Sequence, residues 1–503
     1  MMSDTIETLA RPAHREVTSD RTAKRVMWLY IGPGLILVGA MVIAGLGLRM
    51  AQGGMHTFQP GLFYSLMTLH GSAMMVGMAL CGMGLLWYLF AQEGPLNPTT
   101  AVVACALILI GAVLVAISVL VGGFGAAWTF LYPLPFVGTY WPSWATGVFL
   151  AGIACVVLGW TIWCLQMLGG VLTRYGGLRG AFAWDLVWSP SKFAKSGQTP
   201  PPPQAFAVLV SAVDGLLAGS AGMLVGVALF VRWLDPTLPL DPLWVKNLTY
   251  IFGHTLANLT IYMPLAAVYV ALPRYTHHRH WHTSAVLAVA WWATLVFVAI
   301  AYFHHLYMDF AQPRAVQYIG EAASYLAAFP PAVVTVFGGA LLVYRSGFRW
   351  TLGSMFLYVG MIGWVVGGIG ALLDVTVAFN IYFHNTLWVV AHFHTYLLEG
   401  ALLFVLGWVF HCLEERSGIV SSRAVRTLIG LGVFGGGAWL LLGWYLAGAQ
   451  GVPRRYALQP APGTDISWWA SLGGIILVVG LIMCGIEAIR LARRPAHREV
   501  PAA

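Results

Sequence analysis

The chain has 503 residues, 59% of them hydrophobic and 9% charged, with 22 Trp and a net charge of +8. A water-soluble domain carries about 25% charged residues, so this composition excludes a soluble enzyme, a nucleic-acid binder and a disordered scaffold. Repeated apolar runs longer than about 18 residues favour membrane-crossing helices over the roughly ten-residue alternating strands of an outer-membrane barrel, and predict an all-α, polytopic bundle.

Residues 1–27 form a polar N-terminal tail of mixed charge, without the short apolar core and small-residue cleavage site of a signal peptide, so none is expected. Twelve spans follow, at 28–49, 60–92, 99–121, 145–169, 205–232, 246–272, 284–308, 318–345, 351–375, 383–411, 425–448 and 467–489, forming one membrane domain over 28–489. Residues 490–503 make the C-terminal tail. With both tails inside, 20 of the 26 Lys and Arg residues fall on inner segments, which by the positive-inside rule predicts cytoplasmic termini in an inner membrane. The heptapeptide RPAHREV occurs in both tails, at 11–17 and 494–500. Pro200 to Pro203 read as a stiff connector between the fourth and fifth spans. The six cysteines, 81, 105, 155, 164, 412 and 484, form no C-x-x-C pair and read as small apolar fillers.

Histidine inside the membrane is the informative signal. Six of 15 His lie within spans: His70, His254, His304, His305, His392 and His394. Ionisable side chains at membrane depth are costly and mark functional sites by default. A single buried histidine is readily satisfied by a neighbouring helix. Here, however, the second, sixth and tenth spans place theirs about 9 to 11 residues after entry, roughly 14 to 17 Å deep at 1.5 Å per residue. The seventh span, running the other way, carries its pair near the same outer end. Four helices therefore aim imidazoles at one level.

Spacing indicates what they hold. His392 and His394 are about 200° apart around a helix and point to opposite sides, so the tenth span can serve two sites. His304 and His305 are about 100° apart and can share one metal if a third ligand, such as His254, joins them. Three imidazoles suit copper, iron or zinc, and one imidazole on each face of a planar cofactor suits haem iron.

These residues resemble catalytic subunit I of the haem-copper oxidoreductases. The likeness covers nearly the whole chain. It rests on TLHGSAM around His70, GAAWTFLYPLP at 125–135, FGH ending at His254, FHH ending at His305, HNTLWVVAHFHTYLLEG from His384, and PRRY at 453–456. The resemblance implies two haems, of b or a type, and one copper. His70 and His394 would bind the low-spin haem, His392 the high-spin haem, and His254, His304 and His305 the copper called CuB. Arg454 and Arg455 would pair with haem propionates, for which the guanidinium fork gives a physical basis. No second-copper Cys motif is present, so electrons are expected from a subunit II-type partner, with a CuA or cytochrome c domain, or from another donor at the outer face.

The departures bear on the substrate. Oxygen-reducing relatives of the A and B types carry a Tyr four residues after the first CuB histidine, where this chain has Asn258. The C-type relatives place it six residues before the His pair, where this chain has Val298. Cleaving dioxygen takes four electrons at once; the haem supplies two and the copper one, and a tyrosine the fourth with a proton. Joining two nitric oxide molecules takes two. Nitric oxide reduction to nitrous oxide is therefore the expected reaction, with dioxygen reduction to water and proton translocation the alternative. In that case Tyr262, Tyr302 or Tyr307 would have to be the radical donor. A secondary transporter with a polar midplane site is a further alternative, disfavoured because the polar groups are imidazoles. Nitric oxide reductases with non-haem iron carry a Glu at the position of Asn258, which favours copper here.

Leu256 replaces the Glu of the A-type proton route. Tyr269 matches a tyrosine of the B-type uptake path, and Thr335 is expected to join it. Glu399, five residues past His394, is a candidate proton relay within the membrane; Asp309 and Glu321 sit at the outer edge. The loop histidines His277, His278, His280 and His282 read as solvated.

Overall fold

The computed structural model describes residues 18–127, 140–278, 280–308 and 312–496. Among them, twelve helices are long and apolar enough to cross a membrane: Asp20–Gln52, Pro60–Ala91, Pro98–Leu120, Ser143–Tyr175, Pro203–Leu234, Pro242–Tyr275, Ala285–Leu306, Arg314–Val343, Leu352–Val375, Leu387–Ser417, Arg423–Ala449 and Gly463–Ala492. They are spans 1 to 12, and each matches one predicted from sequence. The described residues contain no strand, only one isolated bridge between Thr386 and Pro453.

The helix ends depart from the sequence reading for local reasons. Span 1 starts at Asp20, inside the segment read as tail, because the Ser19 side chain caps it and Lys24 pairs with Asp20 at 2.8 Å. Span 12 runs on to Ala492. Span 10 begins at Leu387 rather than 383, since Asn385 adopts a left-handed φ of 62° and Thr386 then caps the new helix through Trp388 N. The same span continues to Ser417 and ends on left-handed Gly418. His411, read from sequence as a span end, is therefore buried within it, its Nδ1 2.9 Å from the Tyr275 hydroxyl. Between spans 4 and 5 lie three short helices, Leu178–Ala181, Trp184–Trp188 and Pro190–Lys195, where a plain connector was expected. Pro203 opens span 5, where its missing N–H costs no helical bond. RPAHREV at 11–17, all but its first three residues at 494–500, the GAAWTFLYPLP segment from residue 128 onward, and Asp309 lie outside the described residues.

Burial decides which helices form the centre. In spans 2, 6 and 10 the most apolar stretch is 83%, 83% and 89% buried, against 22% in span 8. Lipid supplies no hydrophobic drive between helices, so close backbone contact has to. It is visible where Gly111 meets Gly152 across spans 3 and 4: a Cβ on Gly111 would stand 2.5 Å from the Gly152 carbonyl oxygen. The three central spans carry four of the six membrane histidines, and span 7, packed against span 6, carries the others.

Candidate haem and metal centres

All six histidines open onto one internal void, also lined by Arg49, Asn258, Tyr262, Arg454 and Arg455.

On one side, His70 and His394 face each other with ring centroids 6.1 Å apart and planes 6° from parallel. Two metal–imidazole bonds of about 2.1 Å, with half a ring at each end, span roughly 6 Å. Both Nδ1 atoms are committed to backbone carbonyls: His70 donates to Met41 at 2.7 Å and His394 to Val390 at 2.8 Å. That fixes the tautomer and leaves both Nε2 lone pairs for an iron between them. Gly45 makes room for His70, since any side chain there would meet its ring. Behind His394 lies Trp444, with centroids 4.7 Å apart, and over Trp444 lies Arg49.

On the other side, ligand atoms of His254, His304 and His305 lie within 4.8 Å of one another. Span 7 tightens from an α-helix into a 3₁₀ turn over Tyr302–Leu306, which turns His304 and His305 toward span 6. His254 Nδ1 stands 3.1 Å from His305 Nε2. The ring of His305 stacks on Tyr250, and His304 Nδ1 meets the Ser324 hydroxyl at 3.1 Å. Asn258, one turn beyond His254, donates its amide to the His254 carbonyl at 2.9 Å and places Nδ2 3.1 Å from His254 Nε2. Val298 is buried on span 7.

His392 leaves span 10 on the side opposite His394. Its Nε2 is 3.4 Å from the Asp374 carboxylate, and its Nδ1 is buried without a partner.

The PRRY loop is pinned beside these centres. The Arg454 backbone donates to the Asn385 carbonyl at 2.9 Å and Arg454 Nη2 to Asn385 Oδ1 at 2.8 Å, while Arg454 Nε is unpartnered. Burial lowers both guanidinium pKa values, Arg455 to about 10, with the charge of Arg454 adding to the effect. Such a pair calls for anions.

Of the other predicted residues, Tyr269 and Thr335 meet at 2.6 Å between their oxygens. Tyr262 lines the void, whereas Tyr302 bonds Asn247 and Tyr307 the Val375 carbonyl. Glu399 is buried on a π-helical segment, Thr395–Ala401, with neither carboxylate oxygen partnered. Glu321 accepts from Val377 N at 3.4 Å.

Three buried charged side chains escaped the sequence reading: Arg49, Asp374 and Asp214, each a lone charge in an apolar run and each with an unpartnered polar atom. Arg49 leaves Nε and Nη2 without acceptors beside the void, the pattern a cofactor carboxylate would satisfy.

A membrane protein with a histidine cluster able to hold a metal ion within its spans is the class this geometry defines. The chain belongs to the cytochrome c and quinol oxidase polypeptide I family, whose model matches residues 25–479. Cytochrome c oxidase subunit 1 of Synechocystis sp. is 22% identical over 84% of this chain and 75% of its own length; that of Bacillus subtilis is 21% identical over 95% and 77%. A cryo-EM structure of a haem-copper terminal oxidase dimer superposes with a TM-score of 0.77 over 96% of this chain and 86% of that one, at 20% identity. The protein is thus a multi-pass oxidoreductase subunit of the haem-copper superfamily, which implies haems and copper, and the donor sets described above fit them.

Proposed function

We propose that this subunit reduces nitric oxide to nitrous oxide. The observation that carries the reading is Asn258 against the His254 ring, at the position where oxygen-reducing relatives hold a tyrosine. An amide cannot be oxidised as a phenol can. Two nitric oxide molecules, two electrons and two protons give one nitrous oxide and one water, with no call for a side-chain radical.

His70 and His394 would hold the low-spin haem, His392 the high-spin haem, and His254, His304 and His305 the copper. Arg49, Arg454 and Arg455 would neutralise propionates. When bound, the high-spin haem and copper supply the two electrons. The protein's own contribution is positional and protic. Ser324 orients His304, Asn258 holds an N–H beside the reacting cavity, and the pinned PRRY loop closes its outer edge. Thr335 and Tyr269 form a hydroxyl pair on the uptake side. Glu399 is a buried carboxylate for relay or for tuning the nearby haems. The tails lie in the cytoplasm and the arginine loop faces outward, where a partner subunit or another electron carrier delivers electrons.

Dioxygen reduction is the second reading. The relatives' names favour it, as does Tyr262, two turns from His254 and the one of the three candidate radical donors that lines the void. Gas electrodes decide between them. With an artificial reductant and purified complex, nitric oxide turnover should exceed dioxygen turnover by at least about tenfold; the reverse ratio overturns the proposal.

A further inference from the structure

Span 12 has two faces. Gly473, Leu477, Gly480, Cys484 and Leu491 turn inward against spans 1, 10 and 11. The opposite face is bare: Ile475, Val479, Ile482, Ile486 and Ile489 are exposed, and at 100° per residue they fall with exposed Trp468 within about 80° of arc. Bulk lipid accounts for such an apolar stripe. It does not account for what stands at the stripe's end, where Ile486, Ile489, Arg490, Arg493 and Arg494 line an open pocket.

The charges of that pocket are not used up within the chain. Arg490 donates Nε and Nη2 to the Glu487 carboxylate at 2.7 and 2.6 Å, and Glu487 also accepts from the Ser421 hydroxyl just before span 11, so this pair is neutral and held in place. Arg493 and Arg494 have no side-chain partner among the described residues. Nor are their side chains occupied in closing the helix, because Arg416 donates to the carbonyl of Ala492, the last helical residue, at 3.2 Å. Two free guanidiniums at the head of an apolar stripe match a phosphodiester that carries hydrocarbon, since the guanidinium fork fits phosphate oxygens. The lengths agree. Val479 lies about 16 Å along the helix from Arg490, and one leaflet of hydrocarbon is about 15 Å deep. Trp468 lies about 33 Å from Arg490, where an aromatic residue marks the opposite boundary. Val479, Ile482, Ile486 and Ile489 are all β-branched and each is held close to one rotamer in a helix, so an acyl chain would meet a fixed ridge.

We propose that this face of span 12 is a binding site for an anionic phospholipid, with the phosphate on Arg493 and Arg494 and one acyl chain along Val479, Ile482, Ile486 and Ile489. A free phosphate would gain nothing from the stripe. A zwitterionic lipid would bring its own cation against the arginines. The site stands apart from the haem and metal centres and is independent of which gas the subunit reduces.

The test uses the purified complex in detergent, titrated with phosphatidylglycerol that carries a photoactivatable diazirine in its acyl chain, then irradiated and mapped by peptide mass spectrometry. Label should appear on residues 479–489. Half-saturation should weaken about fivefold in R493Q and in R494Q and about 25-fold in R493Q/R494Q, from the contribution of each cation beside an anionic lipid. K192Q/K195Q, which removes two cations between spans 4 and 5 at the same end of the bundle, should label like the parent, and haem spectra should be unchanged throughout. Phosphatidylcholine with the same acyl chain should need at least about tenfold more lipid, and excess inorganic phosphate should leave the label in place. No label on 479–489 in the parent, as when another subunit covers the face, overturns the proposal. So does parental half-saturation in the double variant, equal labelling by phosphatidylcholine, or displacement by inorganic phosphate.

Discussion

Gly45 tests the bis-histidine centre with a single methyl group. A Cβ at this position would lie 2.7 Å from His70 Cε1 and 3.1 Å from Nδ1. Ordinary carbon–carbon contact begins near 3.5 Å, so in G45A the imidazole must retreat by about 0.8 Å. Metal–ligand distances tolerate about 0.2 Å. The same movement pulls Nδ1 off the Met41 carbonyl, and His394 cannot compensate, because it is tied to Val390 and packed on Trp444. Overpacking of this kind costs about 1–3 kcal/mol, enough to displace a ligand and too little to unfold a twelve-helix bundle. G39A is the matched control, on the same helix with nothing within 4 Å of the added carbon. Optical and electron paramagnetic resonance spectra of the oxidised enzymes are the assay. G45A should lose its low-spin signal while keeping carbon monoxide binding at the high-spin haem, and G39A should match the parent. An undiminished low-spin signal in G45A would refute the assignment of His70.

Other perturbations address the remaining parts. H304A should reduce copper, measured by elemental analysis, from about one per chain to near zero while haem content holds, because the two histidines left cannot complete the site. Y269F should slow steady-state turnover at least about tenfold with an unchanged spectrum, by breaking the hydroxyl contact with Thr335. R454Q should lower the midpoint potential of the nearest haem in a redox titration, since removing a cation favours the oxidised iron. E399Q should leave both haem spectra in place and slow turnover; full activity would remove Glu399 from the proton route.

Much of the architecture was legible because the bilayer constrains it so strongly. Any segment without about 20 apolar residues cannot cross, so the spans stand out, and their errors lie at polar helix extensions such as Asp20–Lys24 that project beyond the apolar core. The histidines were legible because four helices carried them at one depth. Ring-to-ring geometry was not: the 3₁₀ turn that aims His304 and His305 arises from packing against spans 6 and 8, which no local pattern announces. Arg49, Asp214 and Asp374 were missed for a simpler reason. Each interrupts an apolar run only once, and a search built on histidine spacing passes over single charges; asking which lone ionisable residues fall within predicted spans would have found all three.

Metal and haem analysis of the purified subunit weighs the central claim most directly. Six imidazoles on four helices, two facing one plane and three converging on a point, predict two iron atoms per chain, both extractable as haem, and one copper. Iron in excess of haem with copper absent would place a different metal among His254, His304 and His305, and a single haem would contradict the pairing of His70 with His394.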